Sequence, residues 1–163
     1  MTESEVIRAV ISNKSLGGRF KVLKLTTRDS FLRANERRYL GVRYVHLGGH
    51  GSPKGIGLIG GSVTWKEVAK KLIAYFPSLK PGEQRVMTLS CCHSLDGIRE
   101  MRDTLKGHFS AIYHFKSDEI EFAKAMTIWG MFYLKKRLSR PHGQVMKDIN
   151  TFMGTEVLGG MAI

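Results

Sequence analysis

Apolar and polar positions change period several times along the chain, and each change marks an element. RFKVLKLTT (19–27) alternates with the period of a half-buried strand. RDSFLRANERRYL (28–40) follows as a helix, which Gly41 is placed to cap. GVRYVHLGGHG (41–51) returns to an apolar strand that runs into glycines, and GIGLIGGSV (55–63) reads as a short hairpin or loop. The clearest helix is TWKEVAKKLIAYF (64–76). There Trp65, Val68, Ala69, Leu72, Ile73 and Phe76 fall at i, i+3, i+4, i+7, i+8 and i+11, one continuous face. Thr64 and Glu67 make a capping box at its start and Pro77 marks its end. QRVMTLSCC (84–92) is almost unbroken apolar, the pattern of a strand covered on both faces. LDGIREMRDTL (95–105), SDEIEFAKAMTIWGMFYLKKRL (117–138) and QVMKDINTFM (144–153) predict three more helices, and HFSAIYHFK (108–116) another strand.

Strands alternating with helices imply βαβ units, hence an α/β fold whose mostly parallel sheet carries helices on both faces. Residues 19–163 form one domain on this reading, and residues 1–18 a separate N-terminal segment, helical or partner-binding. A length of 163 residues suits one such core and is short for two.

Composition narrows the class of protein. The longest apolar run, AMTIWGMFYL (125–134), is about half of what a membrane span needs, so it reads as a buried helix. The N-terminus has early acids and lacks the basic-then-apolar order of a secretory signal. The expectation is a soluble, cytoplasmic protein with no membrane role. Lys and Arg outnumber Asp and Glu by 26 to 14, a net charge of +12. Such a surface attracts nucleic acid, anionic lipid or an acidic protein. It carries no interleaved stacking aromatics and no zinc-finger or helix-turn-helix pattern, so a basic surface with no dedicated partner explains it equally well.

The chemistry gathers at two strand ends. Cys91 and Cys92 are the only cysteines, and adjacent cysteines seldom bridge each other, so both read as free thiols of a reducing compartment. Strand alternation points them to opposite faces. Open α/β sheets place their sites outside the carboxyl ends of the strands. One such end delivers His50 and the other Cys92, with a single helix between them in sequence. A right-handed crossover sets the two ends on one edge, where an imidazole can activate a thiol or protonate a leaving group. The backbone amides of Gly51 and Cys92 are then candidates for an oxyanion hole. His46, four residues before His50, is placed on the same face and read as structural. His46, His50, Cys91, Cys92 and His93 offer zinc-ligand chemistry, yet Cys-Cys-His does not match zinc spacings and neither CxxC nor HExxH occurs. No metal or cofactor is assigned. The glycine-rich GGHGSPKGIGLIGG lacks the GxxxxGK[ST] of a phosphate loop.

YVHLGGHG followed by VMTLSCCHS resembles the paired motifs of the CHAT peptidases, caspase-like proteins related to separases and more distantly to caspases and gingipains. His50 and Gly51 match the family's His-Gly pair; Leu89, Ser90 and Cys92 match its second motif, with Cys91 in a small-residue slot. AIYHFKSDEIEFAKAMTIWGMFY is similar to the next strand, acidic loop and long helix, so the likeness spans roughly residues 20–155. His93 departs from the acidic residue that often follows the family's cysteine, and the helical-repeat region commonly fused to such domains has no counterpart.

The resemblance implies a caspase-like three-layer sandwich and a cysteine endopeptidase with Cys92 as nucleophile and His50 as its partner. It implies cleavage of a protein substrate after a basic residue, with Asp118 and Ser90 on the substrate side and no cofactor. A separately encoded regulatory partner and a bacterial stress or anti-phage setting follow by the same analogy. Asp118 has a plainer reading, since Ser117, Asp118 and Glu119 also look like the N-cap and first turn of the long helix. Asp96 is a second acidic candidate. The competing class is a catalytically inactive module of the same fold that docks nucleic acid or an acidic protein through its basic surface.

Overall fold

Strand β5 (Val86–Ser90) is buried at every position, and the rest of its sheet is built around it. The structure, a computed structural model, describes residues 5, 7–9, 23, 25–33, 38–137 and 140–163. They divide into two compact units: Leu25–Glu119 with Gly160–Ile163, and Met1–Lys24 with Ile120–Gly159.

The first unit holds α1 (Arg28–Arg33), β1 (Tyr44–Gly48), β2 (His50–Ser52), β3 (Gly55–Leu58), β4 (Gly61–Thr64), α2 (Trp65–Tyr75), β5, α3 (Ser94–Leu105) and β6 (Ala111–Phe115). With β7 (Leu158–Ala162), whose last residues belong to this unit, four strands line up in the order β1-β5-β6-β7. β1 and β6 both run parallel to β5. The end of β7 meets the start of β6, where the Ile163 N–H donates to the Ser110 carbonyl at 3.3 Å, so β7 runs antiparallel. The protein is therefore α/β, with a mixed and mostly parallel sheet.

Alternation along β5 turns Met87, Leu89 and the following Cys91 into one core cluster with Trp65, Val68, Ala69 and Leu72 of α2 and Ile98, Met101 and Leu105 of α3. Fully burying an aliphatic or aromatic side chain is worth about 1.5–3 kcal/mol, so this face fixes the register of β5. The capping box forms as the sequence implies: Thr64 Oγ1 accepts the Glu67 N–H at 3.2 Å, and Glu67 Oε2 accepts the Thr64 N–H at 2.7 Å. The Thr64 N–H, and the Thr64 hydroxyl that also donates to Glu67 Oε2 at 3.0 Å, hold the Glu67 carboxyl below its ordinary pKa.

Arg85, just ahead of β5, is 3% exposed. Its guanidinium donates to the carbonyls of Val42 (3.1 Å), Pro77 (2.8 Å) and His108 (2.7 Å) and lies over the rings of Phe76 and Phe109. Burial lowers its pKa. Arg85→Met leaves three carbonyls without this donor. The expected loss is about 2–4 kcal/mol, seen as a fall of roughly 5–15 °C in the thermal midpoint. An unchanged midpoint would remove the clamp from the account.

Several sequence expectations need correction. The helix read over 28–40 is helical as far as Arg33, but residues 38–41 are not helical. Tertiary packing takes the chain out of the helix there: the Tyr39 N–H donates to the Tyr75 carbonyl at 2.8 Å, and its ring lies against Tyr75 and Phe76. Gly41, with φ +68°, sits in a turn and caps no helix. Of the strand read over 19–27, residues 19–22 and 24 lie outside the described residues, and the remainder shows a single bridge, Thr27 to Ile59. β7 went unread because LGGMA, with two glycines, carries little strand propensity.

In the second unit, α4 (Phe122–Arg137) starts five residues later than the pattern suggested, and α5 (His142–Met153) follows. Asp148 accepts from Gln144, Lys135 and Arg140; the bonds from Gln144 and Lys135, with the charges of Lys135 and Arg140, depress its carboxyl pKa. Of the N-terminal segment, Ile7, Arg8 and Ala9 are helical and Ile7 is buried. No helix among the described residues is long and apolar enough to cross a membrane.

Candidate active site

β1 and β5 end side by side. Gly48 stands opposite Ser90, and the Gly49 N–H extends the ladder to the Ser90 carbonyl at 3.1 Å. Beyond this point the chain enters a second, antiparallel sheet of β2, β3 and β4, with His50 opposite Gly57 and Gly51 opposite Ile56. His50 is thus the first residue of β2 and not the end of β1, so His46 and His50 do not share a strand as the sequence suggested. His46 stays in β1, bonded through Nδ1 to Thr88 Oγ1 at 2.8 Å.

Gly51 is what joins the two strand ends. A Cβ on it would lie 1.9 Å from the Cys92 carbonyl oxygen and 3.0 Å from the Cys91 Cβ. Only glycine permits this approach, and it sets the His50–Gly51 backbone directly against Cys91 and Cys92. The two thiols part as alternation requires. Cys91 is 2% exposed in the core, whereas Cys92 is half-buried. His50 is exposed. Ser90 is withdrawn from the surface at 5% exposure.

Between β5 and α3 the chain passes through a tight elbow. His93 has φ +52°, the one non-glycine with positive φ among the described residues. For such a residue this conformation costs about 1 kcal/mol or more. Its N–H donates to the Asp118 carbonyl at 2.7 Å, and its carbonyl accepts the Gly97 N–H at 3.2 Å. The Phe115 carbonyl, at the end of β6, accepts from Ser94 Oγ at 3.1 Å and from His114 Nδ1 at 2.7 Å. Burial pushes the His114 pKa below the ordinary histidine value, against the opposing effect of that bond, which favours the protonated imidazolium.

Asp118 therefore belongs to a loop that grips the residue after Cys92. It is not in the first turn of the long helix, since α4 starts at Phe122. Ser117 Oγ closes the loop on the Glu119 carbonyl at 2.7 Å. The ligand atoms of His93, Asp96 and Asp118 all lie within 4.8 Å of one another. His93 Nδ1 is 3.5 Å from Asp96 Oδ2, and Arg99 Nη1 is 3.6 Å from Asp96 Oδ1. These are the side chains that could hold a cation, either a metal or a basic side chain of a ligand. Sequence reading treated Asp96, Asp118 and His93 separately. The signal for their union was the i, i+3 spacing of His93 and Asp96 across a helix start.

Compared with known proteins, the chain matches no family model and no curated protein.

Proposed function

We propose that the protein is a cysteine endopeptidase with a His50–Cys92 dyad. The observation that carries this reading is the seating of Gly51 on the Cys92 carbonyl, which sets the backbone of the residue after the exposed His50 against the segment that carries the partly exposed Cys92 thiol. The resemblance of these two motifs to the CHAT peptidases, with a caspase-like sandwich as the finer fold assignment, supports the same conclusion. The Cys92 thiolate adds to the scissile carbonyl carbon, and the oxyanion is met by the backbone amides of Gly51 and Cys92. Collapse expels the amine, which takes a proton from His50, and leaves a thioester. Water then adds to the thioester, releasing the carboxylic acid and restoring the thiol. No cofactor enters. Regulation by a separately encoded partner, in a bacterial stress or anti-phage system, belongs to this proposal.

Asp118 and Asp96 supply negative charge next to the elbow that holds Cys92, which suits a basic residue before the cut. A hydrogen bond to a charged group is worth about 1.5–3 kcal/mol, so Asp118→Asn is expected to lower kcat/KM roughly 10- to 100-fold for peptides with Arg or Lys before the cut. Peptides with an uncharged residue there are unaffected. Profiling both proteins on one peptide library tests this, and equal losses on both classes would contradict it. A library that no preparation cleaves, together with nucleic-acid binding that falls steeply with salt, would favour a binding module served by the +12 charge.

A further inference from the structure

We propose that Trp65 is a positioning residue of the site, coupling the hairpin that carries His50 to the helix that follows Cys92; the inference rests on the peptidase reading above. Trp65 is 1% exposed and opens α2. Its indole Nε1–H donates to the Ser52 carbonyl at 3.1 Å, two residues beyond His50 in the same strand. The Trp65 backbone N–H donates to the Lys54 carbonyl at 3.4 Å, and Ser52 Oγ closes the same turn on the Gly55 carbonyl at 3.1 Å. The polar edge of the side chain is thus committed to the β2–β3 turn.

The ring itself reaches α3. A Cβ on Gly97 would lie 3.0 Å from both Cε2 and Cζ2 of the indole and 3.1 Å from Cδ2, so the ring rests on the helix backbone where a side chain is missing. Gly97 is the residue whose N–H closes on the His93 carbonyl, one residue after Cys92. A single stiff side chain therefore touches the segment behind each member of the dyad. A side chain that only filled the core would use the ring alone. The N–H bond to Ser52 is the part that sets the height of β2 relative to Cys92, and it can be removed separately.

Two variants separate the roles. Trp65→Phe removes the donor with some ring volume, and β-(3-benzothienyl)alanine at position 65 replaces the N–H by sulfur while keeping the ring. Misplacing reacting groups by about 1 Å can cost on the order of 100-fold. For the sulfur variant the expected result is a 10- to 100-fold loss in kcat with KM unchanged. Its thermal midpoint stays within a few degrees of wild type, and Cys92 alkylation by iodoacetamide at neutral pH slows toward that of His50→Ala. Wild-type kcat and wild-type alkylation in both variants would overturn the inference and leave Trp65 as core. Alkylation of wild-type Cys92 that is already indifferent to His50→Ala, with no cleavage, would overturn the dyad reading itself and this coupling with it.

Discussion

On the peptidase proposal, Cys92→Ala is expected to abolish peptide cleavage while the protein keeps its fold. Removal of a covalent nucleophile typically costs on the order of 10⁴-fold or more in kcat, because what remains is binding and oxyanion stabilisation alone. The fold is expected to survive because Cys92 is only half-buried and lies two residues beyond the end of β5, so losing its sulfur leaves the ladder between β1 and β5 intact. The core position belongs to its neighbour Cys91. Steady-state cleavage beside a thermal melt measures both halves of the expectation. Cleavage retained at more than about 1% of wild type would remove Cys92 from the nucleophile's role.

Gly51→Ala has the second large effect, and it reaches structure and activity together. The new methyl would stand 1.9 Å from the Cys92 carbonyl oxygen, well inside any allowed contact, and both obstructing groups are backbone or core. Relief requires β2 to retreat from Cys92 or the Cys92 peptide to move, and either shift would displace His50 relative to Cys92, the two residues of the proposed dyad. Overpacking of this kind costs about 1–3 kcal/mol, a loss of several degrees in the midpoint. The misalignment is expected to lower kcat/KM by about 100-fold or more. A variant with wild-type activity and midpoint would mean that the His50 segment does not need its seat on Cys92.

The parts of the fold that were legible in the sequence are those where two local signals agreed. α2 had a continuous apolar face, a capping box at Thr64 and Glu67, and Pro77 beyond it; β5 had an unbroken apolar run that only a buried strand explains. The 28–40 segment had a helical pattern without such agreement, and packing of Tyr39 on Tyr75 and Phe76 prevailed over propensity. β7 was hidden by its glycines, because its strand state comes from pairing with β6 and not from its own side chains.

The site shows the same division. The ends of β1 and β5 could be placed side by side from topology alone, since neighbouring parallel strands present their ends together, but His50 lies past the end of β1, in β2 of the second sheet. The contact of Gly51 with the Cys92 carbonyl, the grip of Asp118 on the His93 N–H and the reach of Trp65 to Ser52 are not periodic. They arise from loops meeting across long stretches of chain, which hydropathy does not encode.

The central claim is that Cys92 is a thiol activated by His50. Its most direct measurement is the rate of iodoacetamide alkylation at Cys92 as a function of pH, followed by peptide mass spectrometry in wild type and in His50→Ala. The account predicts fast labelling of the wild type at and below about pH 7, where a free thiol is largely protonated, and a marked slowing in the variant. Slow labelling at neutral pH, identical in the two proteins, would contradict it.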